Sequence, residues 1–278
     1  TTHRILDTLP RRTELLTAYS ETIPVAVISH ALGIPRKDIP KLHKMATQWV
    51  TATASYGNRT TMLRGLTAMW GLHRYFVRHN AKKRKQSGDD VVSRLVQIQS
   101  EYGLTDDVIV AQVILLFVTG HETVQSTIAS GSYLLSQHPE VVKEAIAGNI
   151  SWKRIVEEVL RFESPAQATM RIATEDTEIA GISIHAGDGV VAGIAAANRD
   201  PAVFENPDTF NPQRKPNRHL AFGFGAHTCP AAMLGREEIR VGLSSLFERY
   251  PDLRVQCTPS WTARHNFRTV VKLPVTLW

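Results

Sequence analysis

The sequence predicts a mainly α-helical fold with a minor β part. Three observations carry this. Apolar residues recur at helical spacing through the first two-thirds of the chain. One long stretch, starting at Thr105, is apolar on nearly every side, and a glycine-punctuated stretch from Ile179 to Ala197 alternates like short strands. The 278 residues, 43% hydrophobic and 21% charged, suffice for a sizeable core and are read as a single domain over residues 1–278.

In chain order, Val25 to Leu32 is an apolar helix candidate ended by Gly33 and Pro35. Thr60 to Lys85 reads as a long amphipathic helix. Asp89 to Ser100 reads as a shorter one, with Val91, Val92, Leu95, Val96 and Ile98 on its apolar face. In "LTDD", Thr105 is the expected N-cap, and Asp106 and Asp107 sit where the helix dipole favours carboxylates. This helix can run to Gln137, and its Val108–Val118 segment should be centrally buried. Ile179 to Ala197 reads as a small antiparallel sheet with Gly181, Gly187 and Gly189 at turns. A proline-punctuated loop follows over residues 198–216, then a helix from near Ala231 to about Arg249, then further short strands.

Nothing at the N-terminus reads as a signal peptide, and the Val108–Val118 run is shorter than the ~20 residues a bilayer span takes. A cytoplasmic protein with no membrane association is expected. Cys229 and Cys257 make no disulfide framework and no zinc spacing. The formal charge of +6 favours acidic partners, and the "KKRK" cluster at Lys82–Lys85 reads as a solvated helix end. No aromatic interleaving points to nucleic acid.

"AFGFGAHTCPAAMLGREEIR" places Cys229 behind a loop containing Gly223 and Gly225 and before a helix. The glycines let the backbone approach a flat ligand, and the helix N-terminus favours a thiolate, either a nucleophile or a metal ligand. A phosphate loop fails because Thr228 stands where the third glycine is needed, and His227 as a base for the thiol lacks a third member. "TGHETV" puts Gly120, Glu122 and Thr123 inside an apolar helix, where Thr123 can bond back to a carbonyl and deform the helix into a proton-handling site. It is no zinc protease motif, since Gln125 stands in place of the second histidine. In "EEVLRFESP", Glu158 and Arg161 share a helix face and can pair.

Together and in this order, these motifs resemble the cytochrome P-450 family, in particular its soluble bacterial members. Phe222, Gly223, Gly225, His227, Cys229, Leu234 and Arg236 match the haem loop F-G-x-G-x-H-x-C-x-G-x-x-L-A-R. Gly120, Glu122 and Thr123 match the oxygen-activating A-G-x-E-T-T, and Glu158 and Arg161 match E-x-x-R. Counterparts of "SPAQATMR", "NRDPAVF" and F-x-P-x-R, the last through Phe210, Pro212 and Arg214, complete the series. The sequence departs from the pattern at Ala231, which stands for a glycine, at Gly235, which stands for an alanine, and mildly at Thr119 and Val124.

The resemblance implies a haem-thiolate monooxygenase that inserts one atom of O2 into a small organic substrate, of the kind at work in bacterial secondary metabolism. Cys229 would be the proximal ligand of haem b. Phe222, Gly223, Gly225 and Gly120 would line the cofactor, and His227 and Arg171 would meet its propionates. Thr123 and Glu122 would deliver protons, and Glu158, Arg161 and Arg214 would form a buried charge network. A ferredoxin and its reductase would supply electrons. The resemblance also implies that the chain starts inside the family's fourth large helix, with the earlier region, including the substrate lid and a propionate-binding helix, absent. A non-catalytic helper that stabilises a partner enzyme is the alternative; retained Cys229, Glu122 and Thr123 count against it.

Overall fold

A computed structural model of the chain describes residues 2–54, 58–262 and 266–277. The chain forms two compact units, one mainly of residues 17–125 and the other of residues 6–16 and those from 126 onward. A short helix α1 (Thr2–Leu6) and a strand β1 (Arg12–Glu14) precede the main helices.

The first unit holds α2 (Thr22–Ala31), α3 (Ile39–Ala54), α4 (Arg59–Lys85), α5 (Val91–Gln97) and the opening of α6 (Asp106–Ser136). Side-chain caps set three of the starts. Asn58 accepts the Thr61 N–H at 3.0 Å, Asp90 that of Ser93 at 2.9 Å, and the Thr105 hydroxyl that of Val108 at 3.3 Å. The Asp90 cap makes α5 start later than the expected Asp89, and the helix closes at Gln97. Ile109, Val113 and Phe117 of α6 bury against Leu72 and Phe76 of α4 and Leu32, with the Phe76 and Phe117 rings 5.8 Å apart.

Central burial of the whole Val108–Val118 segment is corrected by the structure. Val108 is 43% and Leu115 52% exposed, because the core takes one face of α6 and leaves a stripe one turn apart outside it. The helix ends where expected, next to Gln137, but the shortness of the Val108–Val118 run does not measure the apolar length of the whole helix. The complete α6 has 31 residues with a mean hydropathy of 1.5 over its most apolar window, long and apolar enough to cross a bilayer. Yet Ile109, Val113, Phe117, Ile128, Ala129 and Leu135 are buried in the protein, as in a core helix.

The second unit holds the rest of α6 with α7 (Pro139–Ile146), α8 (Trp152–Phe162) and α10 (Ala232–Arg249), α8 and α10 lying against each other. A Cβ added to Gly131 would lie 3.0 Å from Leu243 and 3.1 Å from Val159, so the glycine lets the side chains of α8 and α10 close in on α6. Three small antiparallel arrangements complete the unit. β1, β7 (Pro274–Thr276) and β6 (Arg254–Val255) form one sheet; β2 (Ala168–Ile172) pairs with β5 (Gly189–Gly193), and β3 (Thr177–Ile179) with β4 (Ile182–Ile184). The expected sheet is thus divided, its second half pairing upstream with β2. Its last residues leave it altogether, since Ile194–Ala197 is a helical turn, α9, as suits a run of alanines.

Candidate active site: the cysteine loop and the carboxylate pair beneath it

Two adjacent carboxylates on α8 organise the second unit. Ile155, Val156, Val159 and Leu160 bury one side of this helix and draw Glu158 and Arg161 in with them. Arg161 grips Glu158 through two bonds, Nε to Oε2 at 2.9 Å and NH2 to Oε1 at 2.8 Å, with both side chains fully buried. Its NH1 donates to the carbonyls of Asn198 and Pro207, each at 2.9 Å. Glu158 Oε1 also accepts from the Asn211 N–H at 2.9 Å and from Arg214 Nε at 3.3 Å, and Oε2 accepts from Asn217 at 3.1 Å. The pair therefore ties down the irregular segment between residues 198 and 217. A buried charge satisfied on every side stays in place; one left alone is strongly destabilising.

Glu157 reaches the cysteine loop itself. Its carboxylate accepts from Arg236 Nε at 2.7 Å and NH2 at 3.2 Å, and from His219 Nε2 at 3.0 Å. Burial alone would raise this carboxyl, but the bonds and charges of His219 and Arg236 overcome it and hold it at about 2. The Arg236 guanidinium lies 4.4 Å from the centre of the Phe222 ring. Asn198, whose carbonyl Arg161 holds, accepts the Leu220 N–H at 2.7 Å through its side chain.

The loop so anchored is closed on itself. The Cys229 N–H donates to the Phe222 carbonyl at 2.9 Å and the Gly223 N–H to that of Leu220 at 2.8 Å. Gly223 and Gly225 have φ of 72° and 77°, which a side chain would strain. Residues Gly225–His227 make a single 3-10 turn, Cys229 is half-buried, and α10 begins three residues later with Ala231 as its N-cap.

The remaining expected residues stand on other elements or elsewhere in the loop. Arg171, on β2, is exposed and donates to the Thr169 hydroxyl at 2.8 Å and the Met170 carbonyl at 2.9 Å. His227 is exposed in the 3-10 turn. In the first unit, Glu122 and Thr123 are half-buried on α6. The helix runs unbroken through them instead of opening as expected, because Thr123 back-bonds to the Thr119 carbonyl at 3.3 Å without displacing the backbone ladder. A Cβ on Gly120 would meet Ile28 at 3.1 Å, so this glycine makes room for α2. The residue between them, His121, is buried beside His43, ring centres 5.0 Å apart, and its Nδ1–H donates to the Phe117 carbonyl at 2.9 Å.

Sequence reasoning missed Glu157, His219, Asn198 and Asn217. The doubled carboxylate "EE" at 157–158 was the available signal, since two acids ahead of one arginine leave one free to bond elsewhere. Nothing local marked the other three.

A family model described as cytochrome P450 matches residues 69–147 and 152–273. The chain belongs to the cytochrome P450 family. A biotin biosynthesis cytochrome P450 of Bacillus subtilis (strain 168) is 32% identical, the match covering 99% of this chain and 71% of that protein. Nocardicin C N-oxygenase of Nocardia uniformis subsp. tsuyamanensis is 35% identical, covering 95% and 66%. In structure, P450BioI in complex with a hexadec-9Z-enoic acid ligated acyl carrier protein superposes with a TM-score of 0.94 at 31% identity, covering 100% of this chain and 72% of that one. This P450 chain thus spans about two-thirds to seven-tenths of the length of these relatives, with the mainly helical P450 fold and its small sheets.

Haem is the cofactor of the family, and the loop suits it. Cys229 is a thiol held on a closed backbone, and nothing lies within 4 Å of a Cβ built on Gly225, leaving a side-chain-free ledge beside it. Phe224 of the loop, 88% exposed, and Met233 in the first turn of α10, 84% exposed, add apolar surface.

Proposed function

We propose that this P450 is a haem-thiolate monooxygenase. The observation that carries the reading is the Cys229 loop, closed by the Phe222 carbonyl and anchored through Arg236 and His219 to Glu157. Cys229 would hold the iron, and His227 and Arg171 would bind the propionates. Glu122 and Thr123 would move protons at a carboxyl and a hydroxyl oxygen. Bound haem supplies the activation of O2. Per turnover, substrate, O2, two electrons and two protons give hydroxylated product and water, and a ferredoxin with its reductase would deliver the electrons in the cytoplasm.

For the substrate class, the carrier-bound acyl chain of the P450BioI complex supports an acyl substrate here. The purified protein should be red, and its reduced, carbon-monoxide-bound form should show the thiolate band. Cys229→Ala should abolish that band and Cys257→Ser should leave it. A parent protein that binds no haem would sink the reading and favour the helper alternative.

A further inference from the structure

The chain's positive charge is gathered in one place. Residues 39–88 hold ten Lys and Arg and no Asp or Glu, whereas the rest of the chain carries 22 Lys and Arg against 26 Asp and Glu. The net +6 of the protein is therefore the work of α3 and α4, and the remainder is acidic on balance. Two of the ten have acidic partners, Lys83 with Asp90 and Arg84 with Asp106. Among the described residues, Arg64, Arg74, Arg78 and Lys82 make no ion pair, and all four are exposed.

Their arrangement on α4 is specific. Arg74, Arg78 and Lys82 stand four residues apart, with Arg64 on the same flank, a line of roughly 27 Å at helical rise. The same four-residue row begins earlier on the helix with Met62, Leu66 and Trp70, which are apolar, with Trp70 61% exposed. Arg74 stands where the two halves meet, its guanidinium 4.4 Å from the Trp70 ring centre. A helix that lies on a bilayer carries cations on both sides of its apolar face, so as to reach headgroups around it. Here they continue the apolar row. Trp70 is the one exposed aromatic ring of this row, and single-strand binding takes successive rings on which bases stack. An exposed row that is apolar in its first half and cationic in its second, free of carboxylates, matches the side of an acidic helix: hydrophobic contact at one end, charge pairing along the rest.

We infer that the outward face of α4, with Lys41 and Lys44 of α3 adding to its potential, is the docking surface for an acidic carrier protein that presents the acyl substrate. The inference rests on the acyl reading above and adds where the carrier binds. Like charge without relief inside residues 39–88 works against folding; a partner that supplies carboxylates turns that repulsion into affinity and speeds encounter.

The experiment titrates haem-loaded protein with fluorescent acyl carrier protein bearing a hexadecenoyl chain, at about 50 mM and about 300 mM salt, where screening lengths differ more than twofold. Binding should be at least about fivefold tighter at low salt, and Arg74→Glu/Arg78→Glu should weaken it about tenfold or more. Arg78→Gln and Lys82→Gln, milder changes on an exposed face, should each give an intermediate loss, which guards against misfolding of the double variant. Equal affinity of parent and variants for the carrier overturns the inference. So does binding of anionic phosphatidylglycerol vesicles, or of ferredoxin, that these substitutions abolish while carrier binding stays absent. Free hexadecenoic acid, added to the same protein, keeps the two readings apart. If it shifts the haem spectrum while the carrier does not bind, only the docking surface fails. If the carrier binds and neither form perturbs the haem, the acyl reading fails.

Discussion

Glu157 and Arg236, 79 residues apart in sequence, meet at 2.7 Å, and the same carboxylate holds His219 at 3.0 Å. One side chain of α8 thus grips the chain on both sides of Cys229. Glu157→Gln retains the shape but loses the charge that holds both cations, and should cost about 2 kcal/mol of stability. The more diagnostic outcome is spectroscopic. With Phe222 no longer held under Arg236, part of the carbon-monoxide complex should lose its thiolate band, and haem should pass faster to a scavenger protein. A variant destabilised to the same extent with an unaltered spectrum would confine Glu157 to a structural role.

Thr123→Ala should keep haem and substrate binding and divert reducing equivalents to peroxide. Product formed per electron should fall severalfold, as for the loss of one step in a proton relay. Equal product yield in parent and variant would leave Thr123 without a part in proton delivery.

His121 sets an acid limit on the first unit. Burial first of all, with the neighbouring His43 adding to it, lowers its pKa from 6.5 to about 4, against the opposing Phe117 carbonyl and Glu21. Glu21 in turn binds His43. Because the folded value lies below the unfolded one, the stability linked to this group is complete above pH ~6.5 and is lost as pH falls toward ~4, by about 3 kcal/mol. Denaturant melts of His121→Gln should lack that decline. A slope as steep as the parent's between those pH values would place the acid sensitivity elsewhere.

Glu238 acts in the opposite direction. It is buried on α10, one carboxyl oxygen has no hydrogen-bond partner among the described residues, and burial raises its pKa from 4.5 to about 8. A raised carboxyl favours folding at low pH and withdraws that stability as pH climbs from ~4.5 through ~8. Glu238→Gln should therefore stabilise the protein at neutral pH by about 3 kcal/mol and change it little at pH ~5. Equal gains at both pH values would show that shape, not charge, matters at this position.

Much of this was legible from local chemistry. Thr105 was expected as a cap and the structure uses it as one; Asn58 and Asp90 cap by the same local chemistry, although the sequence reading named neither. Arg161 three residues after Glu158 on one helix face is also a local relation, and the two do bond. The order of motifs from Gly120 to Arg236 was enough for the family, because each motif is a short string whose residue types serve one chemistry. What the sequence by itself determined, then, are features set within a few residues: where helices begin, which side chains share a face, where a thiol precedes a helix. Tertiary structure alone decided which face of α6 the core would cover, that β5 would pair back to β2, and that Glu157 would find His219 and Arg236. Those outcomes depend on partners tens of residues away, whose approach is settled by packing such as that of Gly131 against Val159 and Leu243. No local propensity encodes the distance between two segments until the core has closed.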